Sequence, residues 1–187
     1  AVVLFDGKSL DKWTAGGGAA AWEVKSDASG GYFQVKPGSG NIRTKDGFGS
    51  CQLHIEWMIP ADRQCNGQQG CNSGVFFMDR YELQILGSNP NQTYVDGMAG
   101  AMYGQYPPLV NPCRPNGQWN TYDVVFHAPI FAKDGTTLWF TLQQSNMIGR
   151  MNTTTGEVKL VTVPTARARM PSSSPKAVRG CHMTLSP

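Results

Sequence analysis

The chain has 187 residues, a length that suits one domain with a real hydrophobic core. Hydrophobic residues make up 40% and charged residues only 16%, against about 25% charged in an ordinary soluble domain, so a disordered chain is excluded. The 16 basic and 13 acidic residues leave a formal charge of +3. Because aromatics are not interleaved with the scattered basic residues, we expect no nucleic-acid partner. No apolar run approaches the ~18 residues of a membrane span, so we expect no membrane partner either.

Short β-rich segments recur between turn signals along the chain, and no segment shows a sustained helical period. The 22 glycines and 12 prolines supply the turns between them. The segments lie at 22–25, 32–35, 41–44, 51–59, 74–78, 81–86, 121–127, 138–143, 157–163 and 178–185. Strands of this number and length predict an all-β protein, a two-sheet antiparallel sandwich in which residues 1–187 form a single domain.

Two of the predicted strands, 51–59 and 81–86, alternate in a way that assigns their faces. The polar faces carry His54 and Glu56 in the first strand, and Glu82 and Gln84 in the second. If the sheet curves, the Glu82 face lines a concave groove; alternatively, these side chains simply face water.

The connection 87–118, here called the flap, is unusually long for a compact domain. Loops of this length are usually functional or disordered. Its tyrosines, Tyr94, Tyr103 and Tyr106, argue against disorder. The sequence therefore predicts an ordered flap over the groove.

The five cysteines indicate disulfides rather than zinc, because no two closely spaced pairs are present. They are Cys51, Cys65, Cys71, Cys113 and Cys181. Two sequons begin at Asn91 and Asn152, and the chain opens directly on a strand-like Val-Val-Leu-Phe. These features predict a mature, secreted, extracellular glycoprotein with disulfide bridges.

A family resemblance rests on seven segments in order. They are Leu4-Phe-Asp-Gly-Lys-Ser-Leu-Asp-Lys-Trp13, Asn72-Ser-Gly-Val-Phe76, Tyr81-Glu-Leu-Gln-Ile85, Thr93-Tyr-Val-Asp-Gly97, Gly100-Ala-Met-Tyr-Gly104, Pro107-Pro-Leu-Val-Asn111 and Gly117-Gln-Trp-Asn-Thr-Tyr-Asp123. Together they resemble the 3-keto-disaccharide hydrolase domain family. The C-terminal third departs from the family's pattern. The stretch nearest to the family's C-terminal motif is 178–185.

The resemblance implies a concanavalin A-like jelly roll that binds carbohydrate and cleaves 3-keto-glycosides. The reaction would proceed by C2 proton abstraction, elimination and hydration, which needs a base, an acid and an enolate stabiliser. In the family's topology the last strand lies beside the strand that starts near Cys51, which implies a Cys51–Cys181 disulfide. Cys65–Cys71 is the second expected bridge and leaves Cys113 free; Cys113 paired with either of them is the rival.

We expect Glu82 to act as the base or as a metal ligand, with His54 as the second candidate base and Tyr103 as the acid. Groups expected to hold the substrate are Asn72, Ser73, Gln84, Glu56 and Trp119, the last by stacking. A divalent cation such as Ca²⁺ is a candidate cofactor, with oxygen ligands from Glu82 and Gln84. We expect Glu82, Gln84, Asn72, Tyr103 and Glu56 to converge on one cavity beneath the flap.

Two alternatives remain open at this point. One is a non-catalytic, lectin-like carbohydrate-binding domain that uses the same groove, which the divergent C-terminal third favours. The other is a conventional glycoside hydrolase with Glu82 and Glu56 as its carboxyl pair. That second alternative requires Glu56 to reach the groove from another strand.

Overall fold

The computed structural model describes residues 1–128, 134–142, 147–162 and 183–186, and its strands confirm the all-β prediction with antiparallel sheets. Two 3₁₀ turns, Gly67–Gln69 and Val95–Gly97, are the helical elements in these ranges, and none of the described helical segments is long and apolar enough to cross a membrane. The strands are β1 Trp13–Ala15, β2 Gly18–Ala19, β3 Glu23–Asp27, β4 Gly30–Gln34, β5 Ile42–Thr44, β6 Cys51–Trp57, β7 Asn72–Phe77, β8 Tyr81–Leu86, β9 Asn120–Phe126, β10 Thr137–Leu142, β11 Met147–Asn152, β12 Val158–Thr162 and β13 Met183–Ser186.

Every predicted strand segment contains a strand or part of one, but β1, β2 and β11 were not predicted. The first two are only three and two residues long, too short for a period to show. In β11 the central Gly149 interrupts the apolar pattern. A Cβ at Gly149 would overlap the ring of Phe140 on the neighbouring β10, so the glycine marks a close cross-strand contact.

The largest sheet has six strands in the order β2-β1-β5-β13-β7-β8. The last strand, β13, is distant in sequence from the others and pairs antiparallel with both β5 and β7. One face of this sheet forms the core, since the register aligns its buried residues from strand to strand. They are Trp13, Ile42, Thr44, Val75, Phe77, Ile85, Met183 and Leu185. Burying each large apolar side chain contributes about 1.5–3 kcal/mol.

Strands β6 and β9 form a second, two-stranded sheet that also has one buried face. Leu53 and Trp57 are buried, and the rings of Trp57 and Tyr122 lie 5.5 Å apart. The Tyr122 hydroxyl donates a hydrogen bond of 2.8 Å to the Gln84 carbonyl at the edge of β8. Two sheets that each bury one face are consistent with the predicted sandwich.

An aromatic cluster forms around Phe33 on β4. The rings of Phe5, Trp13 and Trp22 lie 4.9, 5.8 and 5.8 Å from it. The indole of Trp13 also donates a hydrogen bond to the Leu4 carbonyl. The Leu4 to Trp13 motif therefore folds back on itself and covers the β3–β4 hairpin.

The chain divides into two compact units, one formed by Ala1–Val125 with Arg179–Pro187 and the other by Phe126–Val178. Within the second unit, β10, β11 and β12 form an antiparallel three-stranded sheet. The single-domain organisation of residues 1–187 stays a prediction.

The predicted Cys65–Cys71 disulfide is present. Cys181 lies outside the described residues, so the Cys51–Cys181 bridge stays a prediction. Among the described residues, β13 pairs with β5 and β7 whereas β6 pairs with β9, so the pairing of these strands does not itself bring β13 next to β6. Cys113 is buried, and its thiol donates to the Leu86 carbonyl at 3.4 Å.

The disulfide packs against Gly87 at the start of the flap, which gives a first prediction. In Gly87→Ala the new methyl group would meet Cys65 Sγ at 2.5 Å and Cys71 Cβ at 3.1 Å. Because the bridged loop has little freedom to move away, we expect a loss of about 1–3 kcal/mol in the free energy of unfolding. The matched control is Gly49→Ala, whose Cβ would have no atom within 4 Å. Urea denaturation of both variants checks this, and equal stabilities would contradict it.

Candidate functional site

Glu82 lies on β8, on the face of the six-stranded sheet opposite the core, as strand alternation predicted. Its side chain leans across β7 and lies over Gly74, so that a Cβ at Gly74 would overlap the Glu82 carboxyl oxygen. The residue directly paired with Gly74 is Gln84, so Glu82 reaches this place diagonally. The glycine therefore leaves the space that the carboxyl group occupies.

The Glu82 side chain is partly buried, and this burial raises the pKa of its carboxyl group above the ordinary value of 4.5. Burial acts in this direction because it disfavours the charged form. A carboxylate with a raised pKa is a stronger base than one in water, which suits proton abstraction near neutral pH.

Two tyrosines of the flap meet beside Glu82. The hydroxyl oxygens of Tyr94 and Tyr103 are 2.6 Å apart, and the Tyr103 N–H donates to the Glu82 carbonyl at 3.0 Å. The pKa of Tyr94 is raised to about 12, first by the hydrogen bond with Tyr103 and then by burial and nearby negative charge. That charge includes the carboxylates of Asp96 and Glu82, so both acids lie close to the tyrosine pair.

The flap is ordered by main-chain bonds to the open edge of β8. Gln84 donates to the Ala101 carbonyl at 2.9 Å and accepts from the Gly100 N–H at 3.0 Å. Met102 and Tyr106 then exchange two hydrogen bonds and close a tight hairpin that carries Tyr103. The flap is thus hydrogen-bonded as predicted and covers the edge that β8 would otherwise expose, while its place over a substrate groove stays a prediction.

Side-chain amides take the place of secondary structure in the rest of the flap and at its borders. Asn89 donates to the Cys113 carbonyl and Asn111 donates to the Ser88 carbonyl, at 2.9 and 2.8 Å. The amides that bond to main-chain groups in this way are those of Asn89, Asn91, Asn111, Asn116 and Asn120. Irregular backbone near a core needs such partners because its unpaired polar groups are costly to bury.

Gln84 is fully buried, so it lines no open surface in this structure. Its amide donates to the Gly97 carbonyl at 3.3 Å, and Gln68 from the disulfide loop donates to the same carbonyl at 2.8 Å. A Cβ at Gly97 would overlap the ring of Tyr94. The residue expected to hold a sugar therefore holds the flap instead, and Gly97 sets the position of the tyrosine pair.

The other expected substrate groups lie apart from one another. Asn72 shares the face of Glu82, but its amide donates to the Gln68 carbonyl at 2.9 Å. Ser73 points to the opposite face, and its hydroxyl donates to the Ser186 carbonyl at 2.6 Å. Trp119 lies just before β9, with its partly buried ring edge-on to Tyr32.

His54 and Glu56 lie on the exposed face of β6, in the second sheet. The Nδ1 atom of His54 is 2.7 Å from Asp123 Oδ1, and this bond raises the pKa of His54, with a smaller contribution from Glu56. The structure thus groups Glu56 with His54 and Asp123, and it does not bring Glu56 to Glu82. Of the five residues expected to converge, the structure brings together Glu82 and Tyr103. Asn72 and the buried Gln84 lie on the same sheet face as Glu82.

Four residues of the site were missed by sequence reasoning: Gly74, Tyr94, Asp96 and Gly97. All four fall inside motifs that carry the family resemblance, Asn72-Ser-Gly-Val-Phe76 and Thr93-Tyr-Val-Asp-Gly97. That resemblance was the available signal. Alternation along strands gave none for the last three, because Asp96 and Gly97 lie in a single 3₁₀ turn that Tyr94 precedes, and one turn is too short to show a period.

Within the described ranges no group of three or more His, Cys, Asp or Glu side chains is placed to hold a metal ion, and a divalent cation stays a prediction.

Glycosylation of Asn91 and Asn152 also stays a prediction. The Asn91 side chain exchanges two hydrogen bonds with the main chain of Gly67. The Thr93 hydroxyl donates to the side-chain oxygen of Gln68. The Asn152 side-chain oxygen accepts from the main-chain N–H groups of Thr154 and Thr155 in a turn.

The fold, together with the comparisons below, identifies the chain as a carbohydrate-active β-sandwich domain. More specifically, the chain belongs to the 3-keto-alpha-glucoside-1,2-lyase-like domain family, whose model matches residues 1–147. The family predicted from the seven motifs is thereby confirmed.

One solved structure agrees with this assignment. A proposed glycosyl hydrolase from Parabacteroides distasonis is similar to the chain, with 33% identity and a TM-score of 0.69, over 99% of this chain and 75% of that one. A second proposed glycosyl hydrolase from the same organism shares 17% identity with a TM-score of 0.46, over 86% of this chain and 72% of that one. No curated protein matches the sequence.

Gly74→Ala should disturb the site more than the fold. Its methyl group would displace the Glu82 carboxyl group, which is the far end of a flexible side chain and can swing towards solvent. We expect the pKa of Glu82, measured by NMR titration, to fall towards 4.5 while the melting temperature changes little. The Gly49→Ala control should leave that pKa where it is. An unchanged pKa in Gly74→Ala would contradict the placement of the carboxyl group.

Stability should also depend on the ionisation of Glu82. Because the folded-state pKa is raised, Glu82 lowers the free energy of unfolding as the pH rises from 4.5 through the folded-state value. Glu82→Gln removes this penalty, so its stability relative to wild type should be greater at about pH 7 than at about pH 4. Urea denaturation at both pH values measures the difference, with the exposed Glu56→Gln as control. A difference that does not grow with pH would contradict the burial of Glu82.

Proposed function

We propose that this protein cleaves 3-keto-glycosides by elimination and hydration, with Glu82 as the base. The observation that carries the proposal is the Glu82 carboxyl group, held over Gly74 with a raised pKa and placed beside a hydrogen-bonded tyrosine pair. Membership of the 3-keto-alpha-glucoside-1,2-lyase-like family supports the substrate class.

The reaction exploits the acidity that a C3 ketone gives to the neighbouring C2 proton. Glu82 takes that proton, and the electron pair of the C2–H bond forms an enolate with the ketone. The enolate then expels the C1 substituent, which leaves with a proton, and a C1–C2 double bond remains. Addition of water to this double bond, OH at C1 and H at C2, yields the free 3-keto sugar. One base therefore starts the reaction, and no second carboxylate is needed to attack C1.

Tyr103 is the group that we assign as the acid, with Tyr94 positioning it. The raised pKa of Tyr94 fits a hydroxyl that donates to Tyr103, because the donor of such a bond holds its proton more tightly. The Tyr103 proton is then left for the departing oxygen or the enolate oxygen. A donor hydrogen bond from Tyr94 would also stabilise the Tyr103 phenolate that forms.

A conventional glycoside hydrolase would need two carboxyl groups on either side of the scissile bond. Glu56 does not supply the second one, since it lies on the second sheet beside His54. Asp96 is the carboxylate that does lie close to the tyrosine pair. Hydrolysis of an unmodified glucoside would therefore point to Glu82 and Asp96 acting as a pair.

A non-catalytic, lectin-like role is the second candidate, supported by the family match, which covers residues 1–147 and leaves out the divergent C-terminal part. It predicts sugar binding without turnover of either substrate. In both cases we place the protein in the secreted, extracellular compartment, where the Cys65–Cys71 disulfide would persist.

The test is turnover of a 3-keto-glucoside beside an unmodified glucoside by Glu82→Gln. The variant keeps the shape of the side chain but cannot accept the C2 proton. We expect its kcat on the keto-glucoside to fall by about 10²-fold or more, the scale of a lost general base, while it still folds and binds sugar. Release of free sugar, followed by chromatography, gives the rate.

Glu56→Gln is the matched control, because it neutralises an exposed carboxylate on the other sheet and should retain wild-type turnover. Unchanged turnover in Glu82→Gln would remove Glu82 from the mechanism. Absence of turnover in the wild-type protein, with sugar binding retained, would favour the lectin-like role.

A further inference from the structure

A cleft of about 320 Å³ opens in the first part of the flap, around residues 88–93. This volume lies at the lower end of the range of about 300–1,000 Å³ typical of small-molecule sites. None of the side chains assigned above to the chemistry lines this cleft.

The lining of the cleft carries no ionisable side chain. Six of its residues are amides or alcohols, and Pro90 and Met98 add apolar surface. The six are Ser88, Asn89, Asn91, Gln92, Thr93 and Asn111. Amide and hydroxyl groups both donate and accept hydrogen bonds, as sugar hydroxyls do, whereas a charged ligand would find no counter-charge here.

The walls of the cleft are fixed by hydrogen bonds to the rest of the fold. Ser88 donates to the Asn111 side chain at 3.0 Å, and Asn91 is held by Gly67 through two bonds of 2.8 and 2.9 Å. A site whose side chains are already ordered loses less conformational entropy when a ligand binds.

Two polar groups of the lining are left available for a ligand. Within the described ranges, the side-chain oxygen of Asn89 and the amide of exposed Gln92 make no hydrogen bond. The Asn89 amide nitrogen, in contrast, donates to the Cys113 carbonyl, which fixes the direction of its oxygen.

We propose that this cleft is an accessory subsite for a neutral sugar ring. Thr93 and Met98 of the lining directly adjoin Tyr94 and Gly97, so the cleft and the tyrosine pair share one short segment of the flap. The neutral ring would be the second sugar of a disaccharide-like substrate. That last assignment rests on the proposed function, whereas binding of the ring itself does not.

The test is titration of the isotope-labelled protein with maltose, a neutral two-ring sugar that lacks the keto group and is not turned over by the proposed reaction. Backbone and side-chain amide signals of residues 88, 89, 91–93 and 111 should shift on binding. Gln92→Ala should weaken maltose binding by about three- to tenfold, the effect of losing one or two hydrogen bonds. Since Gln92 is exposed, the variant should fold normally.

The matched control is Gln52→Ala, an exposed glutamine on β6 whose loss should leave maltose affinity unchanged. Glucuronate, a charged sugar, should bind more weakly than its neutral counterpart glucose at the same signals. Maltose shifts confined to the surroundings of Glu82, equal affinity in Gln92→Ala, or glucuronate binding as well as glucose would each overturn the subsite. Shifts in the cleft of a protein without keto-glucoside turnover would support the subsite while rejecting the proposed function.

Discussion

The carbonyl of Gly97 is the acceptor on which the arrangement of the flap depends. It receives the amide of Gln84 from β8 and the amide of Gln68 from the disulfide loop. A fully buried amide without a partner costs about 1–3 kcal/mol, so moving Gly97 away would expose or strand two donors at once. Because Gly97 lacks a side chain, the ring of Tyr94 also fits against it. One backbone position thus ties the sheet, the Cys65–Cys71 loop and the tyrosine pair together.

This constraint separates the roles of Glu82 and Gln84, which share a strand face. The flap seals Gln84 completely, and its side-chain oxygen finds no hydrogen-bond partner within the described residues, so part of the amide's desolvation is uncompensated. Glu82, two residues earlier, remains half-exposed between Gly74 and the tyrosines. The carboxyl group is thereby buried enough for its pKa to rise, yet open enough to meet a substrate.

Sequence reasoning recovered what local periodicity determines and missed what depends on long-range pairing. Alternation along 81–86 placed Glu82 and Gln84 on one face, and the register with β7 confirms it. Alternation along 51–59 likewise put Glu56 on a polar face, but period two assigns a face and not a sheet. Glu56 therefore belongs to the β6–β9 pair beside Asp123, sixty-nine residues from His54 in sequence, a separation that no local pattern encodes. Tyr94 and Asp96 were missed for the same reason, since the flap is fixed by amide contacts rather than by a repeat.

Elimination requires one carboxylate as the base, a role that Glu82 would fill, whereas direct displacement at C1 requires two. In displacement, one carboxyl group must attack while another donates a proton, and the two must be held at a fixed separation. In elimination the substrate's own ketone stabilises the developing charge, so the protein has only to remove one proton and supply hydrogen bonds to oxygen. Burial of the Glu82 carboxyl group lowers the stability of the fold at neutral pH. The same burial raises the pKa of Glu82, which is the property that a base requires. Two glycines make this arrangement sterically possible, since Gly74 leaves room for the Glu82 carboxyl group and Gly97 leaves room for the ring of Tyr94.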